Sequence, residues 1–95
     1  MIHLTAIVKS KPEHTDAVKS LLMNMVVHSK KETACLQYDL HQNSAEPTIF
    51  VFHEIWNDEK GLEAHNSQPY IQEFVKAAET LLEDNVIIYK TQKIG

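Results

Sequence analysis

Hydrophobic and polar residues alternate near the start of the chain and then change to a helical spacing. Residues 2–9 alternate with period two and are rich in β-branched side chains, which predicts a strand closed by Pro12. From about Glu13 to Lys31 the apolar residues recur three and four positions apart, as Ala17, Val18, Leu21, Leu22, Met25 and Val26. This spacing predicts the first helix.

The middle of the chain has the pattern of a β-hairpin. Cys35–His41 and Thr48–Trp56 are two extended runs. The six residues between them, 42–47, are polar and include a proline, as turns usually do. We therefore expect these two strands to be neighbours in one sheet.

The last third of the chain predicts two helices and a strand. The side chains of Asn57–Glu59 can cap a short helix that carries Leu62 and His65, and Pro69 suits the first turn of another helix. The apolar positions of that second helix are Ile71, Phe74, Val75, Ala78, Leu81 and Leu82. Residues 86–93 predict the final strand.

The predicted order of elements is β-α-β-β-α-β, with the second helical region split in two. This order is typical of a ferredoxin-like sandwich, an α+β fold with an antiparallel sheet. A chain of 95 residues buries only about two thirds of the surface that its unfolded form exposes. We therefore expect one domain, over residues 1–95.

Large apolar side chains occupy both faces of the predicted strands. The third strand places Ile49, Val51 and Ile55 on one face and Phe50, Phe52 and Trp56 on the other. Burying one such side chain is worth about 1.5–3 kcal/mol, and monomers rarely leave a patch of them in water. Since no spare helix remains, we expect a homodimer whose two sheets pack around a pocket of aromatic and imidazole side chains. The alternative is that Phe50 and Phe52 lie near a sheet edge.

Composition and charge narrow the choice of partners and compartment. The formal net charge is -4 and its acidic and basic residues are interspersed, so neither nucleic acid nor an anionic membrane is an expected partner. The N-terminus has no basic segment followed by a long apolar one, and no run of about 18 apolar residues occurs. With a single cysteine that cannot form an internal disulfide, the expected location is the cytoplasm.

Glu32–Tyr38 has the form E-x-A-C-L-x-Y, Phe52–Trp56 ends in E-x-W, and Leu62–Tyr70 has the form L-x-A-H-x-x-x-P-Y. These three segments resemble the E-x-G-C-L-x-Y run, the E-x-W strand end and the L-x-A-H-x-x-x-P-H segment of the antibiotic biosynthesis monooxygenase (ABM) family of dimeric α+β barrel proteins. The chain departs from these motifs at two positions. Ala34 replaces a glycine, and Tyr70 replaces a histidine.

The resemblance implies a cofactor-independent monooxygenase, an oxidoreductase that oxygenates a small quinol or phenolic compound with molecular oxygen. Haem is not expected, since Phe74 stands where the haem-degrading relatives place a ligand histidine. Two other functions stay open. One is an isomerase-like enzyme for a small hydroxyketone, as in the autoinducer-2 processing branch of the superfamily, and the other is a small-molecule binding protein without catalysis.

The resemblance also points to the residues of the site. His65 is the candidate base, because an imidazole with a pKa of about 6.5 can accept a phenolic proton near neutral pH. Trp56 offers a flat wall and an N–H donor, and Tyr70 offers a hydroxyl one helical turn before Phe74. We predict His65, Trp56 and Tyr70 as catalytic, and as substrate-binding Thr5, Tyr38, Phe52 and Phe74. The alternative is a helix-end hydrogen bond for His65, and core packing for Trp56, Tyr70 and Phe74.

Other reactive side chains have simpler interpretations. Glu54 shares strand parity with Trp56, so it either points into the interior, where a carboxylate needs a partner, or pairs across the dimer interface. We expect the interface. Cys35 has no activating neighbour in the sequence and is expected to pack as a hydrophobe. The six histidines lack HxH or HExxH spacing, so no metal site is expected. The only glycines are Gly61 and Gly95, which excludes a phosphate-binding loop.

Overall fold

Four strands and three α-helices make up the computed structural model, which describes residues 1–95. The strands are β1 (Ile2–Lys9), β2 (Cys35–Gln42), β3 (Ile49–Trp56) and β4 (Ile87–Thr91). The helices are α1 (Thr15–Ser29), α2 (Glu59–Asn66) and α3 (Pro69–Leu81). A single 3-10 turn, Pro12–His14, leads into α1.

The sheet has the strand order β2-β3-β1-β4, and every pair is antiparallel. β1 and β3 pair along their whole length, from Ile2 opposite Trp56 to Lys9 opposite Ile49. The hairpin of β2 and β3 carries one bulge, between Cys35 and Gln37. The predicted α+β, ferredoxin-like fold with an antiparallel sheet is confirmed.

The first helix and the last strand are shorter than their sequence patterns predict. The first helix begins at Thr15 instead of Glu13, because Pro12 begins a 3-10 turn that precedes it. The last strand ends at Thr91 because its pairing with β1 ends at His3, near the start of that strand. These differences leave the topology unchanged.

The hydrophobic core lies between the sheet and the helices. The face of β3 that carries Phe50, Phe52 and Trp56 is buried there, together with Leu4, Ala6 and Val8 of β1. The expectation that a second sheet covers these aromatic side chains is therefore wrong, because the helices of the same chain cover them. The sheet-edge alternative is also wrong, since β3 is an inner strand.

The opposite face of the sheet carries no helix. It mixes apolar side chains with histidines: Ile7, Ile49, Val51, Ile55, Ile87, Tyr89, His3, His41 and His53. Ile87 is 46% and Tyr89 54% exposed, so the apolar patch faces outward in the single chain. The prediction of a homodimer rests on this face, whereas the aromatic pocket belongs to the other side of the sheet. None of the helices is both long enough and apolar enough to span a bilayer.

Candidate functional site

A cavity of about 180 Å³ lies between the sheet and the helices. Twelve of its fifteen lining residues are hydrophobic, and the other three are Glu54, His65 and Asn66. Val75 of α3 and Ile88 of β4 line it and are exposed, which marks its mouth. A larger groove, about 460 Å³, lies between α1 and β2, but His65 and Glu54 are absent from its walls. The smaller cavity is therefore the candidate site, because it encloses buried titratable groups in apolar surroundings.

α2 places His65 in this cavity. Leu62 and His65 stand three positions apart on the helix, so they share the face that turns towards the sheet, and both are buried. The helix begins where Asp58 Oδ1 accepts a hydrogen bond from the backbone N–H of Gly61, at 2.7 Å. This cap confirms the predicted start of the helix.

Gly61 allows α2 to approach the segment that leads into β2. A Cβ atom at position 61 would lie 2.3 Å from the Cβ of Ala34, far inside van der Waals contact. The methyl group of Ala34, which stands where the family motif has glycine, therefore fits against the bare backbone of Gly61. This close approach brings the Glu32 loop up to the end of α2.

Glu32 holds the imidazole of His65. Its Oε2 atom lies 2.7 Å from His65 Nδ1 and also accepts a hydrogen bond from the Tyr70 hydroxyl. A carboxylate is an acceptor only, so Nδ1 carries the ring proton in the neutral imidazole and Nε2 keeps its lone pair. Nε2 makes no hydrogen bond within the chain and is the nitrogen available to a bound molecule.

His65 is neutral near neutral pH. Burial lowers its pKa, and the hydrogen bond and negative charge of Glu32 oppose this effect without cancelling it. The side chain is only 4% exposed, which explains why desolvation of the imidazolium prevails. A neutral, oriented imidazole has the properties of a general base.

Aromatic rings surround His65. The ring centroid of Trp56 lies 4.3 Å from that of His65, that of Tyr38 5.5 Å and that of Tyr70 6.2 Å. His28 stacks on the outer side of Tyr70 at 5.1 Å. Trp56, His65 and Tyr70 therefore converge, as the sequence motifs suggest they should.

Glu54 lies in the cavity wall and not at a sheet-to-sheet interface. It is 6% exposed, and its Oε1 accepts a hydrogen bond of 2.8 Å from Trp56 Nε1. Burial raises the pKa of Glu54 to about 7, the hydrogen bond from Trp56 lowers it, and the charge of Glu32 raises it. The expectation that Glu54 pairs across the dimer interface is wrong. Within one chain, the hydrogen bond from the indole N–H and protonation of the carboxyl group offset the free-energy cost of burying Glu54.

The structure separates the seven predicted site residues into three groups. His65, Tyr38, Phe52 and Phe74 line the cavity. Trp56 and Tyr70 do not line it but contact His65 from behind, and their N–H and O–H groups are already donated to Glu54 and Glu32. The sequence suggested that Trp56 offers its N–H to substrate, but Glu54 already accepts that hydrogen bond.

Thr5 is the third case and lies away from the cavity. Strand pairing places it between His53 and Tyr89 on the helix-free face, so the expectation of a pocket-side position is wrong. The physical reason is strand parity, because Leu4, Ala6 and Val8 of β1 are the residues that face the core. Thr5 can therefore contact only a molecule that covers the helix-free face of the sheet.

Sequence reasoning missed the part that two carboxyl groups play in the site. Glu32 stands in the first family-like motif, yet it received no role because its partners, His65 and Tyr70, lie 33 and 38 residues further along the chain. Glu54 has the strand parity of Phe52 and Trp56, which was sufficient to place it among the core residues. Asn66, the neighbour of His65, also lines the cavity.

Cys35 is not activated as a nucleophile. Burial raises the pKa of its thiol to about 11, and the negative charges of Glu32 and Glu54 add to the effect. The thiol is therefore protonated at neutral pH and packs against the core. No group of three or more His, Cys, Asp and Glu side chains in the chain could hold a metal ion.

Comparison with a family model identifies the class to which this fold and site belong. Residues 1–77 match the model described as "Antibiotic biosynthesis monooxygenase". The chain therefore belongs to the antibiotic biosynthesis monooxygenase family, and the resemblance seen in its motifs is confirmed.

Individual relatives cover nearly the whole chain. It is 35% identical over 92 residues to the Bacillus subtilis (strain 168) protein named "Putative monooxygenase YcnE", with 97% of each chain covered. Among solved structures, PA3566 from Pseudomonas aeruginosa is 33% identical with a TM-score of 0.93, and the match covers 99% of this chain and 94% of that one. A crystal structure of an antibiotic biosynthesis monooxygenase is 26% identical with a TM-score of 0.93 and full coverage of both chains.

Proposed function

We propose that this protein is a cofactor-independent monooxygenase that oxygenates a small quinol or phenolic compound in the cavity beneath its helices. One observation carries the proposal. A neutral His65, held at Nδ1 by Glu32, presents Nε2 in a largely apolar cavity. Family membership and the name of the Bacillus subtilis relative support the same class of reaction.

His65 starts the reaction as the base. Oxygenation without a cofactor requires an electron-rich anion of the substrate, because that anion itself supplies the electrons to oxygen. Nε2 accepts the proton of the substrate hydroxyl, and the resulting imidazolium is stabilised by Glu32 at Nδ1. Tyr70 donates to the same carboxylate oxygen and keeps Glu32 in place, so both act on substrate through His65.

The cavity limits the size of the substrate. A cavity of about 150 Å³ is sufficient to hold benzene. A volume of about 180 Å³ suits one substituted ring better than a fused polycyclic system. Phe52, Phe74 and Tyr38 supply the apolar walls that keep water from the anion.

The proposal includes a homodimer, with the helix-free face of the sheet as the interface. Ile7, Ile49, Val51 and Ile55 of that face are half-buried, and Ile87 and Tyr89 are exposed in the single chain. A second copy would cover them by two-fold symmetry. The cavity lies on the other side of the sheet, so substrate binding and dimerisation use separate surfaces.

Oxygen uptake tests the function. Purified protein treated with chelator is incubated with reduced menadione and with a panel of single-ring hydroquinones, and oxygen consumption is compared with autoxidation in buffer. We expect a protein-dependent rate that falls at least 100-fold in His65→Gln and is unchanged in His14→Gln, a histidine outside the site. No rate above autoxidation for any compound, or equal turnover without oxygen, would contradict a monooxygenase. Anaerobic turnover of a hydroxyketone would instead favour the isomerase alternative.

A further inference from the structure

Glu54 is the one carboxyl group in the cavity wall, and the role of His65 as base leaves it unused. It has no cationic partner, because the ion pairs of the chain join Lys9 to Glu46, His65 to Glu32 and Lys90 to Glu59. Lys90 lies in the same row of the sheet, with Leu4 between them, but its Nζ is 2.8 Å from Glu59 Oε1 at the surface. A carboxyl group kept in an apolar cavity without a cation costs stability unless it is neutral.

The hydrogen bond from Trp56 orients this carboxyl group. Nε1 of the indole donates to Oε1 at 2.8 Å, which leaves Oε2 as the oxygen that can carry a proton. Oε2 has no hydrogen-bond partner in the chain. Oε2 is nevertheless not fully buried, because Ser29 Oγ is the only side-chain polar atom that is both fully buried and unpartnered. Oε2 therefore keeps access to the space of the cavity.

We propose that Glu54 is the catalytic acid of this site and donates a proton from its carboxyl group to an oxygen atom of the molecule bound in the cavity. The inference rests on the proposed function, because it pairs this acid with the base His65. Both side chains line the same cavity. An acid and a base in one small site can complete a reaction that neither completes alone.

The surrounding charges favour the protonated form. The titratable groups that face Glu54 are Tyr38 on β2, the Cys35 thiol, His65 on α2 and the carboxylate of Glu32. The side chains of β1 and α3 that line the cavity are apolar. Tyr38 and Cys35 are neutral because burial raises the pKa of each. Burial and the charge of Glu32 raise the pKa of Glu54 itself to about 7. A large fraction of Glu54 is thus neutral at neutral pH.

The proton of Glu54 has a defined place in the oxygenation of a hydroquinone. His65 takes one hydroxyl proton, the anion reduces oxygen, and a C–O bond forms to give a ring-bound peroxide anion. Glu54 protonates the distal oxygen of this peroxide. The O–O bond then breaks as the ring C–H proton returns to Glu54, hydroxide leaves, and imidazolium protonates it to water. One hydroquinone and one O₂ thus give one hydroxyquinone and one water, with both residues restored.

Kinetics of Glu54→Gln provide the first test. The amide keeps an oxygen that can accept the hydrogen bond from Trp56, so the fold is preserved. It has no acidic proton, so the proton donor is lost. For the wild type we expect kcat to fall on the alkaline side with a midpoint near pH 7. In Glu54→Gln we expect kcat at least 100-fold lower without that alkaline limb. Glu73→Gln, an exposed change on α3, is the matched control and should match the wild type. Unchanged kcat in Glu54→Gln overturns the proposal.

Fluorescence of Trp56 provides a second test that does not require turnover. Trp56 is the only tryptophan of the chain and is hydrogen-bonded to Glu54, so its emission should follow ionisation of that carboxyl group. We expect a transition with a midpoint near pH 7 that persists in His65→Gln and disappears in Glu54→Gln. The His65 variant is needed because the imidazole also lies against the indole. A midpoint near pH 4.5 overturns the proposal, because Glu54 would then be ionised in the working range.

A ligand that does not react separates failure of the acid from failure of the proposed oxygenation. Acetophenone has one ring, one carbonyl acceptor and no titratable group. If Glu54 donates to that carbonyl, binding at pH 9 should be at least tenfold weaker than at pH 6 in the wild type, and independent of pH in Glu54→Gln. This outcome without oxygen uptake rejects the monooxygenase and keeps Glu54 as a proton donor. Binding independent of pH in the wild type rejects Glu54 as donor, whatever the oxygen electrode records.

Discussion

Replacing Glu54 by glutamine should stabilise the protein at alkaline pH. Burial raises the pKa of Glu54 from 4.5 to about 7, so the folded state binds a proton between these values that the unfolded state releases. The stability that Glu54 contributes is complete below pH 4.5 and is lost as the pH rises through 7. Glutamine has no such titration and keeps an acceptor for Trp56.

The size of the effect follows from the shift. One pKa unit corresponds to about 1.4 kcal/mol, so a shift from 4.5 to about 7 amounts to roughly 3 kcal/mol. The free energy of unfolding of Glu54→Gln minus that of the wild type should therefore rise with pH by roughly 3 kcal/mol between pH 4.5 and 7. Above pH 7 the difference should be constant. Taking the difference between variants removes the titration of every group that does not interact with Glu54.

Urea denaturation at half-unit steps from pH 4.5 to 9, at one fixed protein concentration, measures this difference. Glu59→Gln is the control, since Glu59 and its partner Lys90 are more than half exposed and such ion pairs are worth less than about 1 kcal/mol. If the difference for Glu54→Gln does not depend on pH, or falls as pH rises, the buried carboxyl group is not neutral in the folded protein. Such a result would refute both its burial energetics and its role as an acid. An increase would show that the buried carboxyl group lowers the stability of the protein at alkaline pH, as expected of a residue retained for function.

Three further changes test other parts of the structure. Gly61→Ala should lower the free energy of unfolding by about 1–3 kcal/mol through its clash with Ala34. Adding Ala34→Gly to the same chain should restore that free energy. If the effects of the two substitutions on the free energy of unfolding simply add, the close approach is contradicted. Glu32→Gln should lower the pKa of His65 further. The fall of kcat on the acid side, which reflects protonation of His65, should then move to lower pH. If it does not move, Glu32 is not the partner of His65. Val51→Asp on the helix-free face tests the proposed homodimer: it should halve the mass measured by light scattering, whereas an unchanged mass would contradict a dimer formed through this face.

Sequence patterns were sufficient for the topology because each element carries its own period. The alternation of β3 separated its two faces correctly, with Phe50, Phe52 and Trp56 on one of them. It could not say which face the helices cover, because apolar residues occupy both. The first strand held that information, since Leu4, Ala6 and Val8 are apolar where His3, Thr5 and Lys9 are not. Reading both strands in register would have placed Thr5 on the helix-free face.

The candidate site was only partly predictable because its decisive contacts join distant parts of the chain. His65 was found through a motif, but its hydrogen bond to Glu32 spans 33 residues and leaves no periodic signal. The place of Glu54 depends on an energy balance between burial, the indole N–H and protonation. The sequence prediction assumed that Glu54 is ionised and therefore placed it at the dimer interface, where a partner could neutralise its charge. The cavity volume depends on how α3 leans over the sheet, which no local pattern specifies.

The protonation state of the His65 ring is the most direct test of the central claim, which is that a neutral imidazole offers Nε2 to the substrate. Nitrogen NMR of protein labelled at histidine, recorded at pH 7 with and without phenol, distinguishes the two ring nitrogens. We predict a proton on Nδ1, none on Nε2, and a shift of the Nε2 resonance when phenol binds. A proton on Nε2, an imidazolium at pH 7, or an Nε2 resonance unaffected by bound phenol would contradict it.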